Sequence, residues 1–378
     1  MEFTPEDNLR LNVLIANNLQ AIRIDESKMV IYGLSDNKRE AKIQLHPNCR
    51  DEIYLRQIRE FISSHVLASP EGYPVYLKRW NRMGHTQNEK LDQLLMLGEP
   101  EAVVAVVHSP NLTLELARRA WWAMPDAENA RSLLKNSKVL NSELAKELAA
   151  YVVEYLPFET ESYNIIQSVY VVLQADLIDE ATRQKLWSRK KNAYLIGFLI
   201  AQPDNLPDPV PARADYAEIK STLAPLIADG NQIAKQLLKI SSSSGQTFLT
   251  ICERVLRKPA NQDIVNLLFD IIAQYFKSIC PDDYNDEMNI SILIEQANNF
   301  ESIEIQDVLA IMPTLNDSIH AMLILSGLRY SIVRPIFSRT TAIGSLMRKK
   351  LAPVLEPVLN SIQTSKGKGT VRPSRADI

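Results

Sequence analysis

The sequence predicts a mostly α-helical protein, an irregular helical solenoid preceded by a small N-terminal α+β domain. Three observations carry this expectation. Eleven glycines in 378 residues are few, and both glycine-rich phosphate loops and many-turned β folds need more of them than runs of helix do. From about Glu89 onward, apolar residues recur at helical spacing in short pieces, each punctuated by Pro, Asn, Asp or Ser. Between residues 19 and 45 the pattern differs, reading as short β-type runs. The length suits two or three domains.

Residues 1–86 form the α+β domain of this reading. Thr4-Pro5-Glu6 combines an N-cap, a proline at the first helical position and an early acid, which together favour a helix start. Leu19–Asp25, Met29–Tyr32 and Ala41–Leu45 are expected to form a three-strand meander. Asp51–Leu67 places Leu55, Ile58, Ile62 and Val66 on one helical face. Pro74–Met83 is expected as a fourth strand.

Residues 87–201 form a first helical block. Its predicted helices are Glu101–His108, Thr113–Met124, Ser142–Leu156, Ser162–Ala175, Ile178–Trp187 and Asn192–Ala201. Amphipathic helices this short cannot bury their faces alone and must stack. The string AVVAVVHSPNLTLELARRA (102–120) resembles the helical units of HEAT-like and leucine-rich-repeat-variant solenoids, although no strict period is present. Residues 202–214 contain Pro203, Pro207, Pro209 and Pro211 and read as a stiff connector. A second helical block spans 215–362, with Ser241–Gly245 as a flexible loop inside it. Residues 363–378 have little apolar content and are expected to be a disordered basic tail.

Charge is unevenly distributed. Residues 1–85 hold 12 Lys/Arg against 11 Asp/Glu, and residues 323–378 hold 10 against 2, while the stretch between holds 20 against 32. Cys49, Cys252 and Cys280 are sparse and far apart, which argues against a disulfide framework and for a reducing compartment. The N-terminus lacks a basic segment leading into an apolar run, so the expected location is cytoplasmic. No apolar stretch approaches the roughly 18–20 residues that span a bilayer, and no membrane insertion is expected.

Patterns that carry chemistry are scarce. His46-Pro47-Asn48-Cys49 would need two further ligands to hold zinc. The acids at 282, 283, 286 and 287 lack the glycine and glutamate spacing of a calcium loop. Neither a metal nor a cofactor is expected, and the absence of a GxSxG, P-loop or Cys–His signature favours a non-enzymatic protein. Four features stand as candidate contacts. On a strand over 74–83, Tyr76, Lys78, Trp80 and Arg82 would share one face, either solvated or able to stack nucleic-acid bases. Trp122 lies about 100° around its helix from the stripe residue Trp121, free to pack on a neighbouring element or to meet a partner beside Arg118. Arg348, Lys349 and Lys350 begin a basic end that either pairs with the acidic middle or binds nucleic acid or an acidic protein. Cys49 is the candidate reactive thiol, placed just before a predicted helix with His46 and Arg50 beside it.

Three stretches, NNLQAIRIDESKM (17–29), residues 45–84 and residues 97–134, resemble the DsrS family, the sulfur reduction protein DsrS. That family is encoded with the reverse-acting dissimilatory sulfite reductase of sulfur-oxidising bacteria. The resemblance implies a cytoplasmic accessory or regulatory role, with a protein partner in the sulfur-oxidation machinery. It assigns no catalytic residue. Sulfur handling at Cys49 and nucleic-acid binding by the basic end are the alternatives.

Overall fold

The computed structural model describes residues 4–36, 39–67, 91–282, 284, 289–338 and 343–367. They are mostly helical, with a three-stranded antiparallel sheet near the N-terminus. No helix among them is long and apolar enough to cross a membrane. The chain divides into two units, Met1–Glu159 with Gln174–Ile178, and Thr160–Leu173 with Asp179–Ile378.

In the first unit, α1 (Pro5–Ala16) starts as its sequence dictates. The Thr4 hydroxyl accepts the Asp7 amide at 3.3 Å, and Pro5 occupies the first turn. Strands β1 (Leu19–Asp25), β2 (Val30–Ser35) and β3 (Glu40–Gln44) form a meander in that order, with Ile22 opposite Gly33 and Ile31 opposite Ile43. Helix α2 spans Asp51–Leu67. Leu11 and Leu14 of α1, Ile22, Ile31 and Ile43 of the sheet, and Leu55, Ile58 and Ile62 of α2 form one buried cluster. The apolar spacing read in α2 is the face that this cluster uses.

Helices α3 (Leu91–Leu95), α4 (Pro100–Val107), α5 (Leu114–Ala123), α6 (Ala127–Leu134), α7 (Ser137–Leu140) and α8 (Glu143–Tyr155) complete the unit. Strand β1 packs against α3 and α5, and α6 packs against α8. Helices α6 and α7 escape a periodicity reading because they are only 8 and 4 residues long. Their caps do announce them: Asp126 accepts the Asn129 amide and Asn136 the Lys138 amide. The expected strand over 74–83 lies outside the described residues.

The second unit holds α9 (Ser162–Val172), α10 (Glu180–Ser188), α11 (Asn192–Ala201), α12 (Tyr216–Thr222), α13 (Ala224–Ala228), α14 (Gln232–Ser241) and α15 (Ser243–Arg257). It continues with α16 (Gln262–Tyr275), α17 (Ile290–Asn299), α18 (Ile303–Ile311), α19 (Asn316–Ser326), α20 (Tyr330–Phe337) and α21 (Gly344–Ser365). Helix α9 packs on α11, and α19 on α21. The proline-rich stretch 202–214 belongs to this unit and is tied down by the Val210 amide to the Thr247 hydroxyl at 3.0 Å and the Arg213 amide to the Ser241 carbonyl at 2.8 Å.

Two expectations change here. Ser241–Gly245 is a junction between helices rather than a flexible loop. Ser241 ends α14, and Ser242, in extended backbone, accepts the Gly245 amide to cap α15. Serine favours caps and loops for the same reason, a hydroxyl that bonds nearby backbone, so composition does not separate the two. The tail beginning at 363 also needs correction, because α21 continues through Ser365 and Lys366 sits in the turn that follows. Residues 368–378 lie outside the described residues.

Gly245 marks how tightly the α14–α15 junction is built. A Cβ there would lie 2.2 Å from the Lys239 carbonyl oxygen and 2.6 Å from the Ile240 Cα, both backbone atoms. Gly245→Ala is expected to destabilise the second unit by about 1–3 kcal/mol, since the chain must shift to admit the methyl group. Chemical denaturation followed by circular dichroism reads this directly, and an unchanged midpoint would show that the junction relaxes freely.

Candidate functional site

Cys49 and His46 come first because the sequence paired them. The structure gives His46 a different partner. Its amide donates to Asp7 Oδ2 at 2.7 Å and its Nδ1 lies 3.3 Å from Asp7 Oδ1. Tyr54 donates to the same carboxylate at 2.5 Å. Asp7 is wholly buried, so helix α1, the 46–50 loop and α2 meet on one charge. Burial would raise the Asp7 carboxyl, but the Tyr54 hydroxyl and the His46 amide and ring outweigh it and hold it below its ordinary value. Burial together with the bond to Asp7 pushes the Tyr54 phenol up to about 12.

Cys49 is half-buried against the N-terminal core, and its Sγ lies 3.7 Å from the Arg50 carbonyl oxygen. Cys280 is also half-buried, following a 3-10 turn (Lys277–Ile279). Cys252 is fully buried in α15, and burial pushes its thiol well up.

Trp121 and Trp122 build the more developed feature. Trp121 is 7% exposed; its Nε1 donates to Glu147 Oε1 at 2.7 Å, and the Tyr151 edge meets its ring at 5.0 Å. Trp122 turns to the sheet. Its Nε1 donates to Glu40 Oε1 at 2.6 Å, and its carbonyl accepts from Arg23 at 3.3 Å. Arg23 pairs across the strands with Tyr32, and its guanidinium carbon lies 4.7 Å from the Tyr32 ring centre and 5.0 Å from that of Trp122. Of the two placements the sequence left open, packing on a neighbouring element is the one seen. One edge of the platform nevertheless faces a cleft of about 510 Å³, lined by Arg23, Arg118, Trp121, Trp122, Pro125, Leu144 and two glutamates, Glu143 and Glu147. Sequence reasoning missed Arg23 and Glu147, which join Trp122 and Trp121 only through the fold.

The basic end is partly self-paired. Lys366, 9% exposed, donates to Glu253 Oε2 at 2.8 Å, and Arg348 donates to the Pro259 carbonyl at 3.5 Å. Lys349 and Lys350 are exposed on α21. Tyr76, Lys78, Trp80 and Arg82 lie outside the described residues. Among the described residues no group of three or more His, Cys, Asp or Glu could hold a metal ion. No family model matches this chain, and no curated protein or solved structure matches it either.

Three measurements follow from this geometry. The folded Asp7 value is depressed, so its contribution is complete above the ordinary carboxylate value of 3.8 and is lost as pH falls through the lower folded value. Asp7→Asn should therefore flatten the acid limb of a stability-versus-pH curve. Tyr54→Phe should cost about 1.5–3 kcal/mol, the worth of a hydrogen bond to a charged group, and should speed amide exchange in α1; unchanged exchange would remove Asp7 as the anchor of that helix. Limiting iodoacetamide should modify Cys49 and Cys280 before Cys252, and peptide mass spectrometry would show the reverse order if α15 opens readily.

Proposed function

We propose that this chain is a non-enzymatic accessory protein that acts by binding another protein, with the Trp122 cleft of the first unit as the contact site. The observation that carries this reading is the cleft's composition. Two tryptophans and two arginines converge on it, the residue types that dominate binding energy at protein interfaces. The two tryptophans are held before any partner arrives, Trp121 by Glu147 and Trp122 by Arg23 and Glu40, which lowers the ordering cost of association.

The helical scaffold fits the same role. In the first unit α4 packs on α5, α5 on α6 and α6 on α8, short helices stacked on near neighbours in the chain. That favours an irregular HEAT-like solenoid, an architecture suited to presenting contact surfaces. The resemblance to DsrS proteins supports a cytoplasmic setting and a partner in the sulfur-oxidation machinery.

Arg118 gives a clean test, because it is exposed and only loosely paired with Glu115 at 3.9 Å. Affinity capture from sulfur-oxidising cells should retain a sulfur-oxidation protein on the wild-type chain. Arg118→Glu should weaken that retention at least about tenfold, while Lys135→Glu, on an exposed site outside the cleft's lining, leaves it intact. A partner held equally by Arg118→Glu and the wild type would sink the assignment of this cleft.

A further inference from the structure

The second unit carries a strongly basic groove to which the protein-contact reading gives no role. It encloses about 510 Å³ and is lined by Lys190, Asn192, Thr250, Glu253, Arg254, Arg257 and Lys258. Thr250, Glu253, Arg254 and Arg257 follow one another at i, i+3, i+4 and i+7, so they form one stripe of α15. Lys258 caps the C-terminal end of the same helix, where the macrodipole favours cations. The opposite wall is the turn into α11. It is fastened to the stripe by Asn192 donating to the Lys258 carbonyl at 2.8 Å and Arg254 donating to the Lys190 carbonyl at 3.4 Å.

Charge in the groove is unbalanced by design of the fold. Its one carboxylate, Glu253, is already engaged by Lys366 at 2.8 Å, Arg257 at 2.6 Å and Gln363 at 3.3 Å. Burial would raise that acid, but these three donors hold it at about 2, so it stays an occupied anion across the physiological range. Lys190 leans on Asp208 at 2.5 Å and over the Trp187 ring. Arg254 and Lys258 have no carboxylate within salt-bridge distance among the described residues, and both are exposed. A cavity of this size falls in the range of small-molecule sites. The clustered positive charge of Arg254, Arg257 and Lys258 favours a multiply charged phosphate chain over a monoanion, and the guanidinium fork of Arg254 fits a pair of phosphate oxygens. The lining contains no aromatic ring on which a nucleic-acid base could stack.

We propose that this groove binds a compact polyphosphate group, either free pyrophosphate or the phosphate chain of a nucleotide, with Arg254 and Lys258 as the principal contacts and Arg257, held by Glu253, at the edge of the site. Lys366 acts as a positioning residue: bonded to Glu253 Oε2, it offsets the charge of a carboxylate whose Oε1 already holds Arg257.

Isothermal titration calorimetry of the full chain at low salt tests this with pyrophosphate, ATP and adenosine. Pyrophosphate and ATP should both bind and adenosine should not; pyrophosphate alone binding would name the free anion as the source, and tighter binding of ATP the nucleotide. The double variant Arg254→Gln/Lys258→Gln leaves the Glu253 cluster in place and should weaken pyrophosphate at least about tenfold. Lys235→Gln, which removes an exposed charge of α14 outside the lining, should not. The proposal is overturned by no pyrophosphate binding to the wild type, by equal binding to the double variant, or by a single-stranded oligonucleotide that displaces pyrophosphate more effectively than ATP does.

Discussion

Most helices of this protein are too short to persist alone in water, and this constraint governs everything else in the structure. Helix α5 has 10 residues and α6 has 8, below the roughly 12–15 at which isolated helices become even marginal. Their stability comes from burying one face on a neighbour and from satisfying the amides and carbonyls their many ends expose. Both needs are visible. Ala117, Ala120 and Trp121 of α5 and Leu133 and Leu134 of α6 are buried, while Thr113 and Asp126 close the helix starts with side-chain oxygens.

A chain with so many helix ends must also fix the angles at which they meet, and buried charges do that work here. Asp7 gathers α1, the His46 loop and α2 in the first unit. In the second, Arg213 is nearly buried, pairs with both oxygens of Asp215 at 2.6 and 2.8 Å, and donates to the Ser318 hydroxyl and the Ser365 carbonyl. A buried ion is stable only when its partners are complete. Each such node therefore accepts few alternative arrangements of the segments that feed it. Arg213 joins segments over 100 residues apart, which ties the proline-rich stretch to α19 and to the end of α21.

The same logic separates the two clefts. In the first unit the polar groups around Trp121 and Trp122 satisfy each other and leave an aromatic edge open to the cleft. In the second unit they leave an excess of positive charge, because the single glutamate of the groove is consumed by the chain's own end. The acidic middle and basic end legible in the sequence do meet at Glu253 and Lys366, but the outcome is local. One carboxylate is occupied by Lys366 and by Arg257 of the groove itself, while Arg254 and Lys258 have no carboxylate partner among the described residues.

Local signals determined much of the secondary structure. The start of α1 follows from Thr4 and Pro5, the faces of α2 and α5 follow from apolar spacing, and the sheet follows from the change of period at Leu19; each depends on residues within a few positions of one another. Tertiary structure decided what those signals cannot encode. His46 turns to Asp7 rather than to Cys49, although the cysteine is nearer in sequence, because a buried carboxylate demands donors and a thiol does not. Trp122 meets Arg23 and Glu40 from strands that precede it by 99 and 82 residues. Lys366 reaches Glu253 from 113 residues away. Such pairings are set by which surfaces must be buried together, a property of the packed chain and not of any window along it.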